Sequence, residues 1–108
     1  MATEHIVILC TCPDHKSAEK LARGLVEGRL AACINLVPGL TSIYPWRGKI
    51  ERDSEVLMVI KSRRDRYRDI EQFILKNHPY EIPELVALPV VSGSEGYLHW
   101  VDEWVNAP

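Results

Sequence analysis

Hydrophobic and polar positions follow two different periods along the chain, and together they predict a mixed α/β fold. Residues 5–12 are dense in apolar side chains and too few for a typical helix, so they predict a buried strand. Two later segments, within residues 14–28 and 65–77, carry apolar residues every three or four positions, which predicts amphipathic helices. We expect Asp14 to cap the first helix and Gly28 to end it in the left-handed conformation. The apolar positions are Ala18, Leu21, Ala22, Leu25 and Val26 in the first helix and Tyr67, Ile70, Phe73 and Ile74 in the second.

Two unusually long extended segments occupy the middle of the chain. They cover residues 31–44 and 50–62, with a turn between them. Proline cannot donate a hydrogen bond to a sheet, so the pair Pro38-Gly39 predicts a bulge in the first segment. The second segment is largely apolar at both odd and even positions, which predicts that its second half is covered on both faces. A fourth strand over residues 84–91 and a helix over residues 97–105 complete the chain.

The predicted order is therefore β-α-β-β-α-β followed by a terminal helix. This is the ferredoxin-like arrangement, in which one antiparallel sheet carries two helices on one face, and we expect a single α+β domain over residues 1–108. The two middle strands hold roughly a dozen residues each, against a usual length of five or six. Such a hairpin extends beyond its own sheet and leaves backbone donors and acceptors for another copy of the chain. We expect the hairpin to build an oligomer.

Composition and missing motifs narrow the classes of function. The chain is 46% hydrophobic and 26% charged with a net charge of -2, which is ordinary for a globular protein and argues against nucleic-acid binding. The basic cluster within residues 61–68 is interpreted as the solvated start of a helix. No export signal or apolar run of ~20 residues is visible, so we expect a cytoplasmic protein with no membrane partner. Three cysteines argue against a disulfide framework.

Several short motifs in the chain carry a more specific resemblance. They are Val7-Ile8-Leu9-Cys10-Thr11, Ala31-Ala32-Cys33-Ile34-Asn35, Pro38-Gly39-Leu40-Thr41-Ser42-Ile43-Tyr44, Trp46-Arg47-Gly48-Lys49-Ile50, Ser54-Glu55-Val56, His78-Pro79-Tyr80-Glu81, Pro83-Glu84-Leu85 and Leu88-Pro89-Val90. Together they resemble the CutA family of divalent-cation tolerance proteins. The resemblance implies a homotrimer held by the long hairpin, an architecture like that of PII signalling proteins, and tolerance of copper and other divalent metals. It implies no enzymatic activity, in agreement with the absence of G-x-S-x-G, phosphate-loop and H-E-x-x-H motifs.

The resemblance also implies a metal site at Cys10 and His78, which match family positions assigned to copper. A further family histidine is absent, because Asn77 occupies its place. Cys12 adds a second thiol, and residues two apart on a strand share a face, so both sulfurs can reach one soft ion. The alternative is that both cysteines are small buried hydrophobic residues and that His78 caps the second helix.

A second set of candidates comprises Trp46, Lys61, Tyr80 and Glu84, which are polar or amphipathic and unsuited to a dry core. The likeness to PII-like trimers implies that clefts between subunits hold a small anion or a partner protein, with Lys61 as the charge partner and an aromatic lid. The alternative is that Lys61 pairs with Glu84 across the sheet while the aromatic residues pack between subunits. The two functional hypotheses are thus metal tolerance and a signalling or scaffold trimer.

Overall fold

Four strands and three helices form the structure, a computed structural model that describes residues 3–106. The strands are β1 (His5–Cys12), β2 (Cys33–Trp46), β3 (Lys49–Arg63) and β4 (Val86–Pro89). The helices are α1 (His15–Glu27), α2 (Tyr67–Asn77) and α3 (Glu95–Val105), with a short 3₁₀ turn at Arg64–Arg66 before α2. No helix within this range combines the length and apolar character that crossing a membrane requires.

The strands pair in the order β2-β3-β1-β4, and every described pair is antiparallel. This is the predicted ferredoxin-like sheet with β1 and β3 at its centre. Met58 of β3 lies opposite Cys10 of β1, and Val56 lies opposite Cys12. The register therefore places both cysteines on β1 beside β3. They lie near the end of the sheet where β1 leads into α1.

The ends of α1 confirm one expectation and correct another. Asp14 caps the helix, because its carboxylate accepts a hydrogen bond of 2.7 Å from the backbone N–H of Ser17. Gly28 ends the helix as expected, but its φ of -80° is not left-handed. The left-handed position falls on Arg29, with a φ of 60°. The prediction of that conformation was off by one residue.

The central hairpin is confirmed as the longest feature of the molecule, with 14 residues in β2 and 15 in β3. Its register shifts between Val37 and Leu40, which places a bulge at Pro38-Gly39 as predicted. At the tip, Arg47 and Gly48 both have positive φ and close a two-residue turn.

The second half of the chain is more irregular than its pattern predicts. The fourth strand covers only four residues instead of the expected eight, since its pairing with β1 extends only from Val86 to Pro89. All four residues of β4 are exposed, so the sheet ends in an open edge on this side. The second helix starts as a 3₁₀ turn, while α3 begins at Glu95, two residues before the predicted start.

One face of the sheet carries the core. Alternation places Ile8 of β1 and Met58 of β3 on the same face as the two cysteines, where α1 and α2 pack. The opposite face is less covered. Its central side chains, Leu9 and Val59 among them, remain half-buried within the described chain. Within a single chain the second face of β3 is therefore only partly covered, and full cover of its second half stays a prediction.

Helix α3 covers one end of that second face. Its Asp102 carboxylate accepts hydrogen bonds from Arg63 at 2.7 Å and from the His5 ring at 2.8 Å. Trp104 donates its indole N–H to the Val26 carbonyl at 2.8 Å. The terminal helix is thus tied to both the sheet and α1 by buried or partly buried polar contacts.

Candidate metal centre

Two buried thiols on β1 form the base of the site. Cys10 and Cys12 are both 0% exposed, and the i,i+2 spacing on a strand turns both sulfurs toward the same face, as predicted. Cys12 lies 3.5 Å from the sulfur of Met58, so apolar and sulfur atoms surround the pair. The two cysteines also belong to the main hydrophobic cluster, so packing alone accounts for their burial.

His78 reaches this pair from the end of α2. Its backbone N–H bonds back to Ile74, which ends the helix, while its ring turns inward and the residue is only 8% exposed. The ring Nε2 lies 2.8 Å from the Thr11 carbonyl and 3.7 Å from the Cys12 sulfur. His78 is therefore the C-cap of α2, as the alternative predicts, and its ring contacts Cys12 as well.

The hydrogen bonds of His78 define its protonation state. Its Nδ1 accepts a bond of 3.0 Å from the backbone N–H of Tyr80, so this nitrogen carries no proton. Nε2 then carries the proton and donates it to the Thr11 carbonyl. These two contacts therefore fit the tautomer with the proton on Nε2.

The sulfurs of Cys10 and Cys12 and a ring nitrogen of His78 all lie within 4.8 Å of one another. Zinc binds thiolate at about 2.3 Å and imidazole at about 2.0–2.1 Å, so a sulfur and a nitrogen on one tetrahedral ion are about 3.6 Å apart. The separation of 3.7 Å between Cys12 and His78 is close to that value. The donor set therefore fits a soft ion, provided that the ring moves its proton to Nδ1.

The two thiols affect each other's protonation. The neighbouring Cys12 thiol, and burial after it, raise the pKa of Cys10, whereas the Cys10 thiol lowers the pKa of Cys12 against the effect of burial. Cys12 is also the member of the pair that contacts His78. Asn77 contributes nothing here, because it is exposed and its amide donates to the Phe73 carbonyl at 2.8 Å.

A cleft of about 660 Å³ opens beside this cluster. It contains three of the four predicted cleft residues, Trp46, Tyr80 and Glu84. Lys61 does not line it, because it lies six residues along β3 from the cleft, or about 20 Å for an extended strand. The Lys61 amine donates to the side chain of Asn35, so the alternative of a pair between Lys61 and Glu84 was wrong.

Glu55 is a buried cleft residue that is not among the residues predicted from the sequence. It is 6% exposed, and one carboxylate oxygen accepts a 2.6 Å hydrogen bond from the Tyr80 hydroxyl. Burial raises the pKa of Tyr80, and the hydrogen bond to Glu55 raises it further. The signal available in the sequence was a carboxylate placed directly before the apolar run of β3. Tyr80 joins the cleft to the candidate metal centre, since its ring also packs on the His78 ring with centroids 4.9 Å apart.

A family model described as CutA1 divalent ion tolerance protein matches residues 6–104. The chain belongs to the CutA1 family. A divalent-cation tolerance protein CutA from Thermus thermophilus is 44% identical over 97 residues, which is 90% of this chain and 94% of that protein. The solved structure of a Thermus thermophilus CutA1 has a TM-score of 0.90 at 43% identity, covering 93% of this chain and 97% of the other. The CutA structure from Xylella fastidiosa has a TM-score of 0.93 at 38% identity, covering 95% and 99%.

Mammalian CutA proteins are also similar, but they are longer. Protein CutA from mouse is 54% identical over 93 residues, which is 86% of this chain and 52% of the mouse protein. The chain thus spans about half the length of the mammalian relatives that it matches. Membership confirms the resemblance, and the solved CutA structures confirm the ferredoxin-like fold. The name of the family refers to tolerance of divalent ions.

Proposed function

We propose that this CutA1 chain is a cytoplasmic, non-enzymatic metal-tolerance protein that binds copper or another soft or divalent ion at Cys10, Cys12 and His78. The observation that carries the proposal is the convergence of their three donor atoms within 4.8 Å in a buried site. Thiolate and imidazole ligands suit monovalent copper and zinc better than hard ions such as magnesium. We expect a modest affinity, because metal binding would break hydrogen bonds that His78 makes.

Binding has a cost in hydrogen bonds at His78. A ligating Nε2 must release its proton, so it gives up its bond to the Thr11 carbonyl. The proton then occupies Nδ1 and removes the acceptor of the Tyr80 N–H. One buried and one partly buried hydrogen bond are lost. At about 1 kcal/mol each, this loss corresponds to roughly a thirtyfold reduction in affinity.

A competition titration with monovalent copper tests this site. We expect wild type to bind one ion per chain, and Cys12→Ser to bind at least about tenfold more weakly because a thiolate ligand is lost. Cys33→Ser is the matched control, since Cys33 is a half-buried cysteine outside the cluster. Equal affinities for wild type, Cys12→Ser and His78→Ala would remove these residues from the site.

We also propose that the chain forms a homotrimer through its central hairpin. Two observations support this. The second face of the sheet is apolar but only half-buried, and both edge strands, β2 and β4, have unpaired backbone groups within the described chain. Light scattering on the purified protein should give three times the mass of one chain. A single-chain mass at micromolar concentration would contradict the proposal.

The signalling hypothesis holds that a small anion or a partner protein binds in clefts between subunits. Residues lining the described cleft include Glu55, Glu81 and Glu84 but no lysine or arginine, so the observed charges do not favour a small anion. Binding of a small anion or of a partner protein in clefts between subunits stays a prediction.

A further inference from the structure

We propose that the cleft beside the metal centre is a binding site for a small organic cation, specifically an alkylammonium ion that retains N–H groups. Its volume of about 660 Å³ lies within the range of small-molecule sites. The site uses residues other than the three metal-ligand candidates. Binding of an organic cation in the cleft can therefore be tested separately from metal binding.

The walls of the cleft are aromatic. Tyr44, Trp46 and Tyr80 line it together with apolar side chains such as Ile43. A cation over the face of such a ring gains about 0.5–1 kcal/mol when exposed and about 2 when desolvated. Aromatic and apolar walls of this kind suit an organic cation that has an apolar part.

Glu55 supplies a directed acceptor at the cleft. It is more than nine-tenths buried, and its Oε2 is held by the Tyr80 hydroxyl. Among the hydrogen bonds of residues 3–106, its other carboxylate oxygen has no partner. This oxygen keeps access to solvent, so an ammonium N–H from a ligand can reach it and donate a charge-assisted hydrogen bond.

The charges around the cleft agree with this ligand. Glu81 and Glu84 also line it, and no lysine or arginine does. The chain itself places an organic cation at its edge: the Arg47 guanidinium lies 5.4 Å from the centre of the Trp46 ring and 3.2 Å from the Glu81 carboxylate. This wall of the cleft therefore already holds a cation between an aromatic ring and a carboxylate.

Nuclear magnetic resonance can test the proposal on the full chain with n-butylammonium chloride as the probe. We expect a saturable shift of the Trp46 indole N–H, with the indoles of Trp100 and Trp104 as internal references. At equal ionic strength, n-butanol and sodium butyrate should produce no comparable shift, because one lacks the charge and the other has the opposite charge. A response to n-butanol as large as that to n-butylammonium would overturn the proposal.

Glu55→Gln should weaken n-butylammonium binding at least about tenfold, since it replaces a charge-assisted hydrogen bond. Glu27→Gln is the matched control, because Glu27 is exposed on α1 and outside the cleft, and it should bind as wild type does. If Glu55→Gln does not fold, Trp46→Leu, titrated by thermal shift, should show several-fold weaker binding. Unchanged affinity in the folded variant tested, or no saturable response in wild type, would overturn the proposal.

Discussion

At the scale of single residues, the best-defined polar contact is the one that holds α3 to the sheet. Asp102 bonds to both Arg63 and His5, and its side chain is 31% exposed. We expect Asp102→Asn to lower the free energy of unfolding by about 1–3 kcal/mol, because charge-assisted hydrogen bonds are lost at a partly buried site. Chemical denaturation at pH 7 measures this. Glu103→Gln, an exposed neighbour on the same helix, should change stability by less than about 0.5 kcal/mol.

The same residue predicts how stability depends on pH. Burial alone would raise the pKa of the Asp102 carboxyl, but the hydrogen bonds from Arg63 and His5 outweigh it and hold that pKa below its ordinary value. A depressed folded-state pKa gives stability that is present above the unfolded value of about 3.9 and is lost as the pH falls through the folded value. The difference between wild type and Asp102→Asn should therefore be full above about pH 5 and shrink below about pH 4. A constant difference down to pH 2 would contradict this origin.

The candidate site shows how far sequence reasoning reaches for individual residues. The common face of Cys10 and Cys12 follows from strand alternation alone, and the structure places both sulfurs accordingly. The ring orientation of His78 does not follow from any local rule. It depends on the Thr11 carbonyl and the Tyr80 N–H, which are brought to the ring by tertiary packing. Glu55 was missed for the same reason, since its burial depends on Tyr80.

At the scale of elements, the packing of α1 on α2 depends on Gly24. A Cβ at this position would lie 2.5 Å from the end of the Phe73 ring, so the ring must move to admit it. The ring clash costs about 1–3 kcal/mol, against a gain of about 1 kcal/mol in helix propensity from Gly to Ala. We expect Gly24→Ala to destabilise the protein by up to about 2 kcal/mol in thermal or chemical denaturation.

A double-mutant cycle separates these two effects. In a Phe73→Leu background the ring is gone, so Gly24→Ala should become stabilising by up to about 1 kcal/mol. The reversal of sign is the specific outcome that helix–helix contact predicts. If Gly24→Ala has the same effect in both backgrounds, the glycine is not required by the approach of Phe73.

Elements were predictable where the pattern was strong and local. The Pro38-Gly39 bulge and the Asp14 cap follow from backbone chemistry, and both were confirmed. The length of β4 was not predictable, because its apolar residues fit a strand over residues 84–91 while pairing with β1 reaches only from Val86 to Pro89. Extended apolar sequence does not determine where a partner strand ends.

At the scale of the whole molecule, the uncovered face of the sheet is the feature that a single chain leaves unexplained. Val37 of β2 is 45% exposed and lies opposite Leu57 of β3, beside the half-buried centre of this face. Exposed apolar surface of this kind, continuous along a sheet, marks an interaction surface. This exposed apolar face agrees with the prediction, made from the length of the hairpin, that copies of the chain associate.

Val37→Lys should therefore weaken assembly. Burying a valine contributes about 1.5–3 kcal/mol, and a buried lysine without a partner costs more, so smaller species should appear by light scattering at micromolar concentration. Leu75→Lys is the matched control, because Leu75 is 58% exposed on α2, away from the second face, and should leave the mass unchanged. Circular dichroism of both variants separates loss of assembly from loss of folding. If Val37→Lys is folded and keeps the wild-type mass, the second face near Val37 is not the surface at which copies meet.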